Sequence, residues 1–325
     1  MKIIETTSDF EKIKPGCILS IGNFDGVHIG HQVILTTAKQ TAVQKNAELI
    51  ALTFEPHPVA ILHPEKAPGV LTPLKLKTHL LAKYGVDCLI VLKDSAELLN
   101  LSPADFVDQF LTRTIQPEVV VEGESFNFGS GRTGSAHTLY NLGKEKGFDV
   151  VVIDTKEVKL SIGQAVKVSS TMIRNLLESG KVADAAVALT RPYRLIGKVV
   201  PGLGKGKQLG FPTANLAPAK QIIPAEGVYA GFVATGDSEE QVCSAEKKIP
   251  AAFSIGRSST YGSNKPLAIE AHLLIGSVGD LVDKWMAMDF IERTREQIKF
   301  ETESQLAEQI AKDCQNAKQL LAKQD

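Results

Sequence analysis

The chain reads as α/β: an N-terminal doubly wound parallel sheet, then a C-terminal antiparallel β-barrel with a terminal helix. Three observations predict this. Short apolar, β-branched runs at Ile18–Ile21, Leu49–Phe54, Cys88–Leu92, Val119–Val121 and Val150–Ile153 alternate with helical stretches, the pattern of a parallel sheet covered by helices. Near Arg191-Pro192-Tyr193 the pattern changes, and strand-like runs follow one another at Leu195–Val200, Val228–Ala234, Ala251–Ile255 and Leu267–Ile275 with little helix between, as in an antiparallel barrel. Helical spacing returns from about Ser304, with Leu306, Ile310, Ala317 and Leu321 on one stripe and Cys314 near it.

Taken in order, the run to Ile21 ends in a glycine-rich turn, and a helix starts at about His31 with Ile34, Leu35, Ala38 and Ala42 at helical spacing. Leu49–Phe54 ends in Glu55-Pro56-His57-Pro58, where the prolines fix a turn. A helix around Leu74–Tyr84 leads to Cys88–Leu92. In such a sheet, ligands bind beyond the carboxyl ends of the strands. That rule gathers His28, His57 and the 123–134 loop on one edge. In the last barrel strand Ile269, Ala271, Leu273 and Ile275 share a face. The change of pattern places the domain boundary near 187, giving domains 1–186 and 187–325.

At 325 residues the chain has room for two ordinary domains. Hydrophobic residues make up 43% of it and the net charge is −1, so nothing drives it globally toward nucleic acid or a membrane. Cys17, Cys88, Cys243 and Cys314 form no C-x-x-C pair, and reduced thiols are expected. Residues 1–15 are charged and broken by Pro15, and no membrane-spanning run is visible. A cytoplasmic location is expected.

Gly22-Asn23-Phe24-Asp25-Gly26-Val27-His28-Ile29-Gly30-His31 is the most informative stretch. A helix start offers unpaired N–H groups and partial positive charge, which suit phosphate. Gly22, Gly26 and Gly30 let the backbone turn and approach a ligand. His28 and His31, one turn apart, are placed to donate to charge that builds in a transition state. Two surface histidines at a turn are the plain alternative. Zinc is a weaker reading, because no third and fourth ligands lie at the usual spacing.

Val168-Ser169-Ser170-Thr171-Met172-Ile173-Arg174 is the second element. One hydroxyl at a helix start is an ordinary N-cap, and Gly180 suits the other end. Three hydroxyls followed by an arginine on the first turn exceed that need and make a second phosphate cradle. His57 is either a loop residue or a ligand contact. Phe126 and Phe128 fit core packing as well as stacking on a ligand.

In the second half, Gly202 to Gly210 is a glycine-rich run that permits a backbone wrap around phosphates. Thr213 and Asn215 offer two neutral oxygens of the kind a hard cation prefers, and a capped turn is the alternative. Glu270, mid-strand in Ile269-Glu270-Ala271-His272, is an unusual acid in an apolar run. It is either outward-facing or a placed base. Lys205 and Lys207 keep a positive charge without a guanidinium's fork.

These strings resemble the bacterial bifunctional riboflavin kinase/FAD synthetase family over about residues 15–300. G-N-F-D-G-V-H-I-G-H resembles the signature of its FMN adenylyltransferase module, within the wider H-x-G-H superfamily. Gly202–Asn215, ending in G-F-P-T-A-N, resembles its riboflavin kinase signature. The resemblance implies a Rossmann-like nucleotidyltransferase joined to a kinase barrel, with riboflavin, FMN and ATP as substrates and Mg²⁺ as cofactor. It implies His28 and His31 as catalytic groups for FMN adenylylation, and Glu270, in a string like E-V-H-L-L, as the base of the kinase. It implies ATP-phosphate contacts at Gly22, Asn23, Phe24, Asp25, Gly26, Ser169, Ser170, Thr171, Arg174, Gly204, Lys207 and Gly210. Flavin contacts are implied at Phe126, Phe128, Phe211, Pro212 and Arg295, and metal ligands at Thr213 and Asn215.

The sequence departs from the family in three loops. Ser125 replaces the usual aspartate of G-x-D-F-x-F-G. Ser254–Tyr261 replaces N-I-G-x-x-P-T-F, and Ile275–Val282 lacks the usual L-Y-G ending. These departures leave room for an FAD synthetase with a weakened kinase half; the other rivals are a non-catalytic flavin- or nucleotide-binding regulator and an adenylyltransferase of the same superfamily for another phosphate substrate.

Overall fold

Runs buried on both faces form the centre of the first half. A computed structural model describes residues 1–93, 95–161, 163–202, 204–217, 220–257, 267–275 and 281–323. The chain forms two compact units. The first comprises Met1–Pro68, Lys77–Lys159 and Ala165–Ser169; the second comprises Gly69–Leu76, Leu160–Gln164 and Ser170–Asp325.

The first unit holds β1 (Lys2–Ile4), β2 (Cys17–Ile21), α1 (Ile29–Lys45), β3 (Leu49–Phe54), α2 (Pro58–Leu62), most of α3 (Leu74–Lys83), β4 (Cys88–Leu92), β5 (Pro117–Gly123), α4 (Ala136–Lys146) and β6 (Asp149–Ile153). The six strands pair in parallel in the order β1-β4-β3-β2-β5-β6. β2 and β4 are buried at every position, as expected where helices cover both faces. From β2 the chain winds one way through β3 and β4, and later the other way through β5 and β6. That reversal opens a crevice beyond the β2 and β5 ends, where the glycine-rich turn lies. Phe106–Ile115 is a π-helix, which apolar spacing does not foretell.

The second unit opens with two helices, α5 (Ser170–Glu178) and α6 (Val182–Leu189). β7 (Tyr193–Val200), β8 (Ala214–Leu216), β9 (Gly227–Gly236), β10 (Ile249–Gly256), β11 (Ala268–Leu273) and β12 (Trp285–Arg295) follow, then α7 (Glu303–Leu321). The strands close a barrel in the order β7-β8-β11-β10-β9-β12, every pairing antiparallel. Its core is aromatic: the Phe290 ring meets Tyr229 at 5.2 Å and Phe253 at 5.0 Å, both edge-on.

Two sequence expectations need amendment. Ile275 does not share the buried face of Ile269 and Ala271; it lies past the end of β11 and is exposed. The sequence reading also has no strand at β12, although β12 pairs with both β7 and β9 and closes the barrel. The cysteines are free thiols, all buried, Cys314 among them. Among the described residues, no helix is long and apolar enough to cross a membrane.

Candidate functional site

The first unit's site grows from the end of β2. Phe24 (φ +46°) and Val27 (φ +40°) hold left-handed backbone conformations beside Gly26 (φ +88°). Each such non-glycine residue costs about 1–3 kcal/mol, most for a β-branched valine. Burial holds them there, with Phe24 1% and Val27 0% exposed. The Phe24 ring fills the space over Gly22, where a Cβ would sit 3.3 Å from it. It also meets the His31 ring edge-on at 5.4 Å. With its ring in the core, Phe24 offers a ligand only its backbone.

His28 is the N-cap of α1, and its Nδ1 accepts the His31 backbone N–H at 3.4 Å. That bond fixes the neutral tautomer of His28, leaving the proton on Nε2. The His28 and His31 rings stack at 3.7 Å, 17° from parallel. Gly30 makes the stack possible, since a Cβ there would lie 3.1 Å from His28 Cε1. Burial, His28 and Lys77 together hold the His31 imidazole well below its usual range, so it is neutral at neutral pH. Its buried Nδ1 has no hydrogen-bond partner among the described residues.

His57 joins this cluster. Its Nδ1 accepts the Val59 N–H at 3.1 Å and caps α2, so Nε2 carries its proton. Nε2 lies 3.0 Å from the Asn23 amide. Two donors cannot face each other, so the amide presents its oxygen to His57. The Thr53 hydroxyl donates to the Asn23 carbonyl at 3.1 Å. The Pro-rich turn after β3 thus braces the turn after β2.

Glu122, on β5, is buried, and its carboxyl accepts the Ile21 N–H. It takes over where the backbone ladder between β2 and β5 stops, at Leu19–Val120. Burial pushes its carboxyl well above the usual range. Downstream of β5, Phe128 belongs to the core, and Phe126 packs on it with rings 5.6 Å apart and nearly parallel. Ser125 is exposed. Ser169 closes the first unit; Ser170, Thr171 and Arg174 lie on the first turns of α5 in the second. Arg174 Nε donates to the Gly69 carbonyl at 2.7 Å.

In the barrel, Asn215 on β8 pairs with Glu270 on β11, and Glu270 pairs on its other side with Ser254 on β10. Burial alone raises the Glu270 carboxyl above its usual range, which strengthens it as a base. Thr213 stands just before β8, two residues ahead of Asn215. The glycine-rich loop closes on this face. A Cβ at Gly202 would meet Asn215 Nδ2 at 2.1 Å, and one at Gly206 would meet the Phe211 carbonyl at 2.4 Å. Gly204 (φ +71°) and Gly210 (φ +83°) turn the loop, and Lys207 is exposed on it. His272 Nδ1 lies 2.8 Å from the Pro212 carbonyl, and its ring meets Phe211 edge-on. Leu203, Ser258–Tyr261 and Gly276–Asp280, which carry parts of the glycine loop and of the expected departures, lie outside the described residues.

Arg295 forks onto Asp313 of α7, with Nε 2.9 Å from Oδ1 and Nη2 2.6 Å from Oδ2. Gln297 Nε2 donates to Ser254 Oγ and the Ile255 carbonyl, both at 3.0 Å, and so ties the segment after β12 to β10.

Comparison with known proteins places this geometry. The FAD synthetase family model matches residues 10–172, and the riboflavin kinase model matches residues 189–321. A bifunctional riboflavin kinase/FMN adenylyltransferase of Escherichia coli K12 is 31% identical over 314 residues, covering 96% of each chain. Its counterpart in Pseudomonas fluorescens is 32% identical over 322 residues, covering 99% of this chain and 98% of that one. A solved Streptococcus pneumoniae protein described as a macrolide-efflux protein shares the fold at TM-score 0.82 and 25% identity, covering 98% of this chain and 99% of its own. With both halves matched in order and the whole length aligned, the chain belongs to the bifunctional riboflavin kinase/FMN adenylyltransferase family.

Proposed function

We propose that this chain makes FMN from riboflavin and FAD from FMN, using ATP for both steps. One observation carries the reading: the two family models match in tandem, and each half contains its own polar cluster suited to phosphate chemistry.

In FMN adenylylation, an oxygen of the FMN phosphate attacks the α-phosphorus of ATP. The bond to the β-phosphate oxygen breaks and pyrophosphate leaves. A phosphomonoester has a second pKa of about 6, so the nucleophile needs no protein base. The chain contributes position and charge stabilisation. His28 donates from Nε2, neutral His31 donates through one ring N–H, and the α1 amides face the phosphates. Gly22, Asn23, Asp25 and Gly26 shape that turn, with Phe24 acting through its backbone. Ser169, Ser170, Thr171 and Arg174 are assigned to ATP phosphate, and Phe126 and Phe128 to the flavin side.

In riboflavin phosphorylation, Glu270 takes the proton of the 5′-hydroxyl as that oxygen attacks the γ-phosphorus and ADP departs. Gly204, Lys207 and Gly210 line the phosphate loop; Phe211, Pro212 and Arg295 are assigned to the flavin. Thr213 and Asn215, the latter paired across the ladder with Glu270, offer side-chain oxygens that fit Mg²⁺. Phosphate oxygens and water would complete the shell of such an ion. Bound there, Mg²⁺ neutralises charge on the transferring phosphoryl group. The functional division runs at 186/187. Free cysteines throughout suit a reducing, cytoplasmic setting.

A chromatographic time course with riboflavin, ATP and Mg²⁺, beside one started from FMN, tests the reading. FMN followed by FAD is expected from riboflavin. FAD from FMN alone would limit the chain to the second step, and no turnover in either would overturn the proposal.

A further inference from the structure

Lys77 lies on the buried stripe of α3 with Leu76, Leu80 and Leu81, and only 4% of it is exposed. Its ammonium has one hydrogen-bond partner among the described residues, Thr53 Oγ1 at 3.5 Å. No carboxylate among the described residues lies within 4.0 Å of it. Asp25 and Glu55 act on it from further away, and it acts on His31 in turn. A buried cation ordinarily sits against its counter-ion, because an uncompensated ammonium in low dielectric is costly. The His31 imidazole on which it acts has a buried Nδ1 with no hydrogen-bond partner among the described residues.

We propose that the Lys77 ammonium is a further phosphate contact of adenylyl transfer, taking charge from the α-phosphoryl oxygens and the departing pyrophosphate beside His28 and His31. Thr53 links it to the turn: its hydroxyl accepts from Lys77 and donates to the Asn23 carbonyl. The ammonium is thereby held in register with the loop that receives the phosphates. The proposal rests on the adenylyltransferase reading above.

Lys77→Met in the full chain tests it, with three readouts. FAD formation from FMN should fall about a hundredfold, the scale for one lost transition-state donor, while riboflavin phosphorylation stays within twofold. The melting temperature should hold or rise, because a buried charge with no carboxylate in contact is replaced by an apolar side chain of similar length. Added pyrophosphate should raise the melting temperature of the wild-type chain and leave the variant unmoved. Lys77→Gln repeats the test if the methionine variant fails to fold. Retained FAD formation, or an undiminished pyrophosphate response, would overturn the proposal; so would unfolding of both variants, which would make Lys77 a structural cation. A wild-type chain that forms no FAD would overturn the underlying reading instead.

Discussion

Asn215 and Glu270 face each other directly across the antiparallel ladder of β8 and β11. A candidate metal ligand and a candidate base are thus a cross-strand pair, about 4.5–5.5 Å apart at their Cβ atoms. Glu270→Gln keeps the shape and removes the base. FMN formation should fall by at least about a hundredfold, and FAD formation from supplied FMN should continue at the wild-type rate. Parallel assays from riboflavin and from FMN check this; equal loss of both would mean that the two reactions do not use separate sites.

Gly30→Ala probes the stacked histidines without replacing either. The added Cβ would press on His28 Cε1 at 3.1 Å and turn the ring away from His31. FAD formation should drop about tenfold, and riboflavin phosphorylation should not change. Helix stability should hold or improve, since alanine is favoured over glycine in a helix by up to about 1 kcal/mol. Steady-state rates and thermal melts of the two proteins separate these effects.

His31 makes a pH-dependent contribution to stability with a definite sign. Its folded pKa lies well below the ordinary value of 6.5, so the unfolded chain binds the proton more tightly. The contribution is present above 6.5 and is lost as pH falls below it. Wild-type stability minus that of His31→Gln should therefore decrease from pH 7 to pH 5. Denaturant unfolding at a series of pH values measures the difference, and a flat difference would show that His31 titrates normally in the fold.

Glu122 behaves in the opposite sense. Its folded pKa is raised well above the ordinary value of 4.5, so its contribution is present below 4.5 and is lost as pH rises through the folded value. Glu122→Gln retains an acceptor for the Ile21 N–H and cannot ionise. Relative to wild type it should gain stability between pH 5 and pH 8, read from the same unfolding series.

The sheet was legible because its strands are short apolar runs bounded by turn residues; β3 and β4 occupy the spans their sequences predict. β12 was not. It carries Asp289, Glu292, Arg293 and Arg295 among its apolar residues. Asp289 is tolerated at 4% exposure because Arg194, far away in sequence, forks onto it at 2.7 and 2.8 Å. A non-local partner leaves no trace in local pattern. The histidine turn was readable because its chemistry is written in one contiguous string. Lys77 was hidden among the charges of Leu74-Lys75-Leu76-Lys77, although its i, i+3, i+4 spacing with Leu80 and Leu81 places it on the apolar stripe. Glu122 fell outside the expected strand Val119–Val121, because its partner Ile21 lies on another strand.

The packing of α5 and α6 bears on how the two halves of this molecule could be separated by genetic engineering. Both helices fold with the barrel: the Ala225 N–H donates to the Leu177 carbonyl at 3.0 Å, and the Arg293 guanidinium lies against Gly180, which leaves no room for a side chain there. Yet the match to FAD synthetase runs on to residue 172, inside α5. A gene fragment stopped after residue 186 would part α6, with its buried Val182 and Ala185, from β7 and β12, against which it packs, and such a surface invites aggregation. A portable adenylyltransferase would need those positions recoloured with polar side chains, whereas a portable kinase would start upstream of Ser170 and take both helices with it.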